Sequence, residues 1–257
     1  MENGKSDKLL QEFREQVNDL LAATQLLTSL VREQGSQRDM ECLAAMNRSL
    51  YQLMRTIFHM ELCREEAPSF RPELVDLAGL CRDLGHQVEP LAEVLGISFR
   101  WELERENIFS LADEVLLEQA LLNLLTNAFA AAGQEGHVTL RCSSHAGRCI
   151  LTVGDNGPGL SPQEASEDPL LKQPGGVGLG LEAARRAVSL HGGALVLENR
   201  EEGGVRAVIS LPIREPEGGF TVKSSQMFYD RTGGFSPLLV EFSPLLPLQS
   251  FMPEDVE

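Results

Sequence analysis

The sequence predicts an α+β protein, an N-terminal antiparallel helical hairpin followed by an α/β sandwich domain. Three features carry this reading. Apolar residues between positions 10 and 60 recur at alternating steps of three and four. Beyond Pro68 and Pro72, helix-period and strand-period segments alternate. A loop dense in glycine and proline, residues 156–178, separates a strand from a helix.

The hairpin comes first. Leu10, Phe13, Val17, Leu20, Leu27 and Val31, with Thr24 filling one slot, form a heptad seam. After a break at Gln34-Gly35-Ser36 the pattern returns at Leu43, Met46, Leu50, Leu53, Ile57 and Met60. Two narrow apolar stripes cannot make a full core alone. A second copy pairing through residues 1–67 would complete a four-helix bundle, so a homodimer is expected. The alternative is a hairpin packed onto its own C-terminal domain.

The second domain is expected over 73–213. Residues 73–95 read as a helix closed by Gly96, and Ile97 to Leu103 alternates as a strand. Residues 113–132 form a strongly apolar helix ending at Gly133. Val138 to Ser143 and Cys149 to Gly154 pair around the turn His145-Ala146-Gly147. A helix from about 180 to 191 and strands Ala194 to Glu198 and Val205 to Leu211 close the domain, with helices on one sheet face. The tail, 214–257, holds a near-repeat, FSPLL at 235–239 and 242–246, whose prolines argue against a central strand. Its apolar content suggests that it docks on the body of the domain or on a partner.

With 257 residues the chain can bury roughly three quarters of its unfolded surface. A formal net charge of -16 repels phosphate backbones and anionic lipid, so neither nucleic acid nor membrane is an expected partner. The five cysteines are scattered without a C-x-x-C pair and read as reduced thiols. No stretch reaches 18 uninterrupted apolar residues and the N-terminus lacks a signal-peptide core, so a cytoplasmic location is expected.

Three clusters point to chemistry. Asn123 and Asn127 are four apart on the apolar helix and project from one face. Buried amides need partners: their oxygens suit Mg²⁺ beside substrate phosphates, or they tie the helix to a neighbouring loop. Asp155-Asn156-Gly157-Pro158-Gly159 ends the strand ILTVG. A carboxylate there can accept from an exocyclic amine such as that of adenine, or the run is a tight turn. Gly175-Gly176-Val177-Gly178-Leu179-Gly180 opens a helix, where bare amides form an anion site. Gly178 to Ala183 also fits the dinucleotide pattern G-x-G-x-x-A, with Glu198 beyond it. That pattern needs a strand leading into its first glycine, and Asp168-Pro169 to Pro174 cannot supply one.

The order NLLTNA, then VGDNGPGL, then GGVGLGLEAARRAVSLHGGALVLEN, closing with GGVRAVISLPI, resembles the ATP-binding domain of histidine kinases and gyrase-type ATPases, the Bergerat fold. The resemblance covers about 73–213, and the hairpin resembles the kinases' dimerisation segment. It implies ATP and Mg²⁺ as cofactors, with Asn127 as metal ligand and Asn123 its companion near the phosphates. Asp155 would read the adenine amine, in a pocket shaped by Gly157 and Gly159. Gly176, Gly178 and Gly180 would hinge and anchor the ATP lid, with Lys172 its one cation toward the γ-phosphate. A response regulator or other signalling protein is the implied partner.

The chain also departs from the family. The kinases carry their acceptor histidine on the first helix, where this chain has Val17-Asn18-Asp19-Leu20-Leu21-Ala22-Ala23-Thr24. No imidazole stands there for nucleophilic phosphotransfer. Ala130 and Ala131 replace the basic and aromatic or imidazole residues of many kinases, and the lid lacks the phenylalanine box. The expected function is therefore an ATP-binding protein of the sensor histidine kinase type, in two-component-like signalling, without ordinary autophosphorylation. The alternatives are an active kinase, on histidine with an unusual acceptor or of the serine kinase and anti-sigma type, and a nucleotide-independent adaptor. His59, in FHMEL, is the nearest histidine candidate and lies on the flank of the seam; Glu118 is the candidate general base.

Overall fold

The computed structural model describes residues 13–24, 26–27, 31, 36–63, 70–160, 179–214 and 236–252. They divide into two compact units, Met1–Glu61 with Tyr229–Glu257, and Leu62–Phe228.

Residues 13–24 are helical (α1). Helix α2 spans Gln37–Leu62. Its start is capped reciprocally: Asp39 Oδ2 accepts from Ser36 N–H (2.9 Å) and Oγ (2.7 Å), and Asp39 N–H donates back to Ser36 Oγ (3.4 Å). Arg14, early in α1, reaches Glu61, late in α2, at 3.4 Å, so the two helices run antiparallel. The buried stripe differs from the seam read in the sequence. Val17, Leu21 and Thr24 are buried on α1, whereas Phe13, Leu20 and Leu27 are exposed. On α2, Leu43, Leu50, Tyr51, Met54, Ile57 and Phe58 are buried, while Met46, Leu53 and Met60 are exposed. Each helix thus carries one covered stripe and a second, exposed one at seven-residue spacing.

In the second unit, β1 (Glu73–Asp76) precedes α3 (Leu77–Leu95). Residues 73–76 were expected to be helical. They are a strand because they pair antiparallel with β3 (Phe109–Ala112), a partner too short to announce itself by alternation. Asp76 then caps α3, accepting from Ala78 N–H at 3.2 Å, and Gly96 closes the helix at φ 66°. Strand β2 covers Ser98–Leu103 and helix α4 covers Glu114–Ala132. Strands β4 (His137–His145) and β5 (Arg148–Asp155) form the expected hairpin. Helix α5 (Leu179–Leu190), β6 (Ala194–Asn199) and β7 (Val205–Pro212) follow.

The main sheet has the order β2-β4-β5-β7-β6. Only β2–β4 is parallel; the other pairs are antiparallel. Val138, Leu140 and Cys142 of β4, Cys149, Leu151 and Val153 of β5, and Ala207, Ile209 and Leu211 of β7 are buried. Their period of two puts one sheet face under α3, α4 and α5, giving the expected helix-on-sheet sandwich. Helix α4 is the one helix among the described residues long and apolar enough to cross a membrane. Here it is the central core helix, with twelve of its residues buried.

The tail forms a short helix α6 (Pro237–Phe242), capped by Ser236, then a 3-10 turn at Leu248–Phe251. It packs on α2 in the first unit. His59, read as a flank residue, is therefore 6% exposed, its Nε2 2.8 Å from Oε1 of Glu241. The flank is covered because the tail lies on it, and no heptad pattern in α2 alone reports that.

Candidate functional site

Several buried polar side chains of the second unit, Asp113, Asn123, Asp155 and His191, lie on α4 or on segments that meet it. Asp113 holds the start of that helix: its carboxylate accepts from Leu116 N–H at 3.3 Å, and its own N–H donates to Nε2 of buried His191 at 2.9 Å. Nearly three turns further on, Asn123 is buried among Leu121, Leu122 and Leu124, and its Oδ1 accepts from Nδ2 of Asn127 at 3.2 Å. The two amides meet on one face, as their spacing of four requires.

Two glycines bring the neighbouring loops onto this face. Gly180, in the first turn of α5, lies so close to Asn123 that a Cβ there would overlap the amide. Gly157 abuts the C-terminal end of α4, where a Cβ would stand 2.5 Å from the Ala131 carbonyl oxygen. Asn127 lies between these contacts, one turn from each. Gly159 has φ 79°, a left-handed conformation that glycine adopts without strain.

Asp155, at the end of β5, is 4% exposed. Its Oδ1 accepts from Gly157 N–H at 2.8 Å and Val205 N–H at 3.2 Å. Both bonds go to Oδ1, and Oδ2 accepts none among the described residues. Burial pushes the carboxyl above its usual range, while the Gly157 and Val205 amides and the Arg200 guanidinium pull it back. The loop after Asp155 is braced from three sides. Arg200 Nη1 donates to the Asp155 carbonyl at 2.7 Å, Asn156 Oδ1 accepts from His137 N–H at 2.7 Å, and Asn199 exchanges two bonds with the Leu160 backbone, at 2.7 and 3.0 Å. Gly204, at φ 87°, packs against the Asp155 carbonyl, where a Cβ would overlap it. Asn199, Arg200 and Gly204 were not singled out in the sequence. The one signal was the polar, glycine-ended turn Glu201-Glu202-Gly203-Gly204 between two strands.

Not every candidate joins this site. Glu118 sits on α4 with Glu114 of the same helix and Asp83 of α3, and lies five residues before Asn123, so it points away from the amide pair. Burial, then Glu114 and Asp83, raise its carboxyl from 4.5 to about 7. A raised carboxyl stabilises the fold fully below 4.5, and that stability is lost as pH rises through about 7. Glu118→Gln is expected to remove this loss, about 1–2 kcal/mol after allowance for partial exposure. The melting-temperature difference between variant and wild type should then grow in the variant's favour from pH 5 to pH 8. His59 belongs to the other unit. Lys172, Gly176 and Gly178 lie outside the described residues.

Residues 112–215 match the family described as histidine kinase-, DNA gyrase B- and HSP90-like ATPases. That segment is similar to the ATPase domain of this family. The sensor histidine kinase TmoS of Ectopseudomonas mendocina is 25% identical over 256 residues, 92% of this chain and 26% of that protein. The C4-dicarboxylate transport sensor protein DctB of Rhizobium meliloti is 36% identical over 116 residues, 43% of this chain and 19% of that protein. The chain spans well under half the length of the curated relatives it matches. Among solved structures, full-length ShkA in complex with AMPPNP is similar at a TM-score of 0.67 and 27% identity, over 84% of this chain and 47% of that one. The catalytic domain of the histidine kinase ThkA is similar at a TM-score of 0.51 and 26% identity, over 56% of this chain and 97% of that one. Within the matched residues, the Asn123–Asn127 pair, the Asp155 loop and the first turn of α5 converge on one edge of α4.

Proposed function

We propose that this chain binds ATP with Mg²⁺ in the manner of sensor histidine kinases and serves two-component-like signalling in the cytoplasm, without ordinary histidine autophosphorylation. The observation that carries this reading is Asp155, a buried carboxylate with one oxygen held by two amides and the other left to an incoming donor. Adenine's exocyclic amine is the donor of matching geometry and polarity. Gly157 and Gly159 would shape the pocket for the ring. Asn127 would hold the metal through its amide oxygen and Asn123 would orient Asn127, a donor set that suits Mg²⁺ with its remaining positions on water and phosphate. Gly176, Gly178, Gly180 and Lys172 would anchor the lid over the phosphates. The bound metal would supply charge neutralisation; the chain's own residues bind, orient and exclude water.

Two observations support the absence of self-phosphorylation. Residues 17–24 contain no imidazole, and His59 is covered by Glu241 at the ring nitrogen. Incubation with γ-labelled Mg–ATP tests this. Nucleotide binding without label on the chain is the expected result; an acid-labile label would overturn it.

The exposed stripes support a homodimer. Phe13, Leu20 and Leu27, and Met46, Leu53 and Met60, recur every seven residues on both helices, and a second hairpin would bury them as a four-helix bundle. Leu53→Glu, placing a charge in that seam, is expected to convert a dimer to a monomer by light scattering. An unchanged mass would contradict the assignment.

A further inference from the structure

The seat of the tail on α2 has the features of a peptide-docking site. Arg48, Gln52, Arg55 and His59 stand along one face of α2 at steps of four, three and four. Arg48 donates through Nε to the Ser243 carbonyl at 3.2 Å and through Nη2 to the Pro244 carbonyl at 3.0 Å. Gln52 Nε2 donates to the Ser243 carbonyl at 3.4 Å, and Asn47 Nδ2 to the Phe251 carbonyl at 3.3 Å. Arg55 Nε donates to Glu241 Oε2 at 2.9 Å, and His59 Nε2 meets Oε1 at 2.8 Å. Val240, Phe242, Leu246 and Phe251 are the apolar anchors, all fully buried, and the Phe251 ring lies 5.4 Å from that of Tyr51.

Side chains reading backbone carbonyls, apolar anchors between them and one desolvated charge are how proteins capture a peptide from another molecule. Here the peptide is attached. Helix α6 has six residues, too few to persist unaided, so its form depends on α2. The α2 face in turn presents the Arg55 guanidinium, which needs a counter-charge when desolvated, and the His59 imidazole, which needs a hydrogen-bond partner when buried.

We propose that residues 236–252 are a detachable cis ligand of α2, and that their docking controls access to His59. The chemistry selected is a carboxylate directly before an aromatic residue and a Ser-Pro turn, Glu241-Phe242-Ser243-Pro244. Covalent attachment makes docking intramolecular, so modest intrinsic affinity suffices and exchange remains possible.

Diethyl pyrocarbonate modification of each histidine in the full chain, read by mass spectrometry, tests this. His59 of the native chain should react at least tenfold more slowly than His86, whose side chain is 62% exposed. Glu241→Lys should raise the His59 rate at least tenfold, and the isosteric Glu241→Gln at least threefold with helicity unchanged. Buried His191 should stay protected throughout. Synthetic peptide 236–252 added to either variant should restore protection, and the same peptide with Gln at 241 should not. The proposal is overturned by any of three results. These are His59 reacting as fast as His86 in the native chain, protection unchanged in both variants, or failure of the native peptide to restore protection in either.

Discussion

Asp155→Asn is expected to weaken ATP binding by roughly 10- to 100-fold, the cost of losing a charge-assisted hydrogen bond and leaving its partner unmatched. The variant keeps the shape of the side chain. Its amide oxygen can still accept from the Gly157 and Val205 N–H groups that hold Oδ1 in the wild type. The second position becomes an amide nitrogen, a donor set against the adenine amine, which is also a donor. Binding is lost without loss of the fold, so titration calorimetry should change far more than thermal unfolding. The same carboxylate sets a pH dependence. Only the ionised form accepts well, and burial pushes the Asp155 carboxyl above its usual range. ATP affinity should therefore fall on acidification at a higher pH than an ordinary carboxylate would dictate, and Asp155→Asn should not show that limb.

The second large effect lies in the helical unit. Glu241→Ala is expected to destabilise that unit by about 3–5 kcal/mol, because it leaves Arg55 and His59 desolvated without their counter-charge. Glu241 is 3% exposed; burial alone pushes its carboxyl up, and His59 and then Arg55 overcome this and hold it below the usual range. With the carboxyl lowered, its contribution is present above 4.5 and is lost as pH falls through the folded value. Amide hydrogen exchange across α2 reads the loss locally. Replacing all three groups, Arg55→Met with His59→Phe and Glu241→Leu, should cost much less than Glu241→Ala alone, since no charge is then stranded. Equal losses in the two would show that packing of the tail, not the charge cluster, holds it in place.

How far the sequence reported this molecule depends on the range of the interactions. Helix α4 and its asparagines were legible because their spacing of four is local and their apolar setting makes two amides conspicuous. The turn after β5 was legible from Asp155 to Gly159. Its bracing by Asn199, Arg200 and Gly204 was not, since those contacts join segments about 40 residues apart. Strands β1 and β3 are four residues each, too short for alternation to outweigh the helical period that begins at Leu77. The hairpin seam was right in kind, but Leu21 is buried where Leu20 was expected, because half of each apolar surface faces inward and half faces out. His59 was the hardest case. Its burial depends on Glu241, 182 residues away, and on a helix of only six residues.

Nucleotide binding at the edge of α4 underlies the proposed function. Titration calorimetry of the full chain with ATP, with and without Mg²⁺, tests it most directly. Saturable one-to-one binding that tightens with Mg²⁺ and is weakened at least tenfold by Asp155→Asn is the expected result. No binding at millimolar ATP with Mg²⁺ present, or equal binding by wild type and variant, would contradict it.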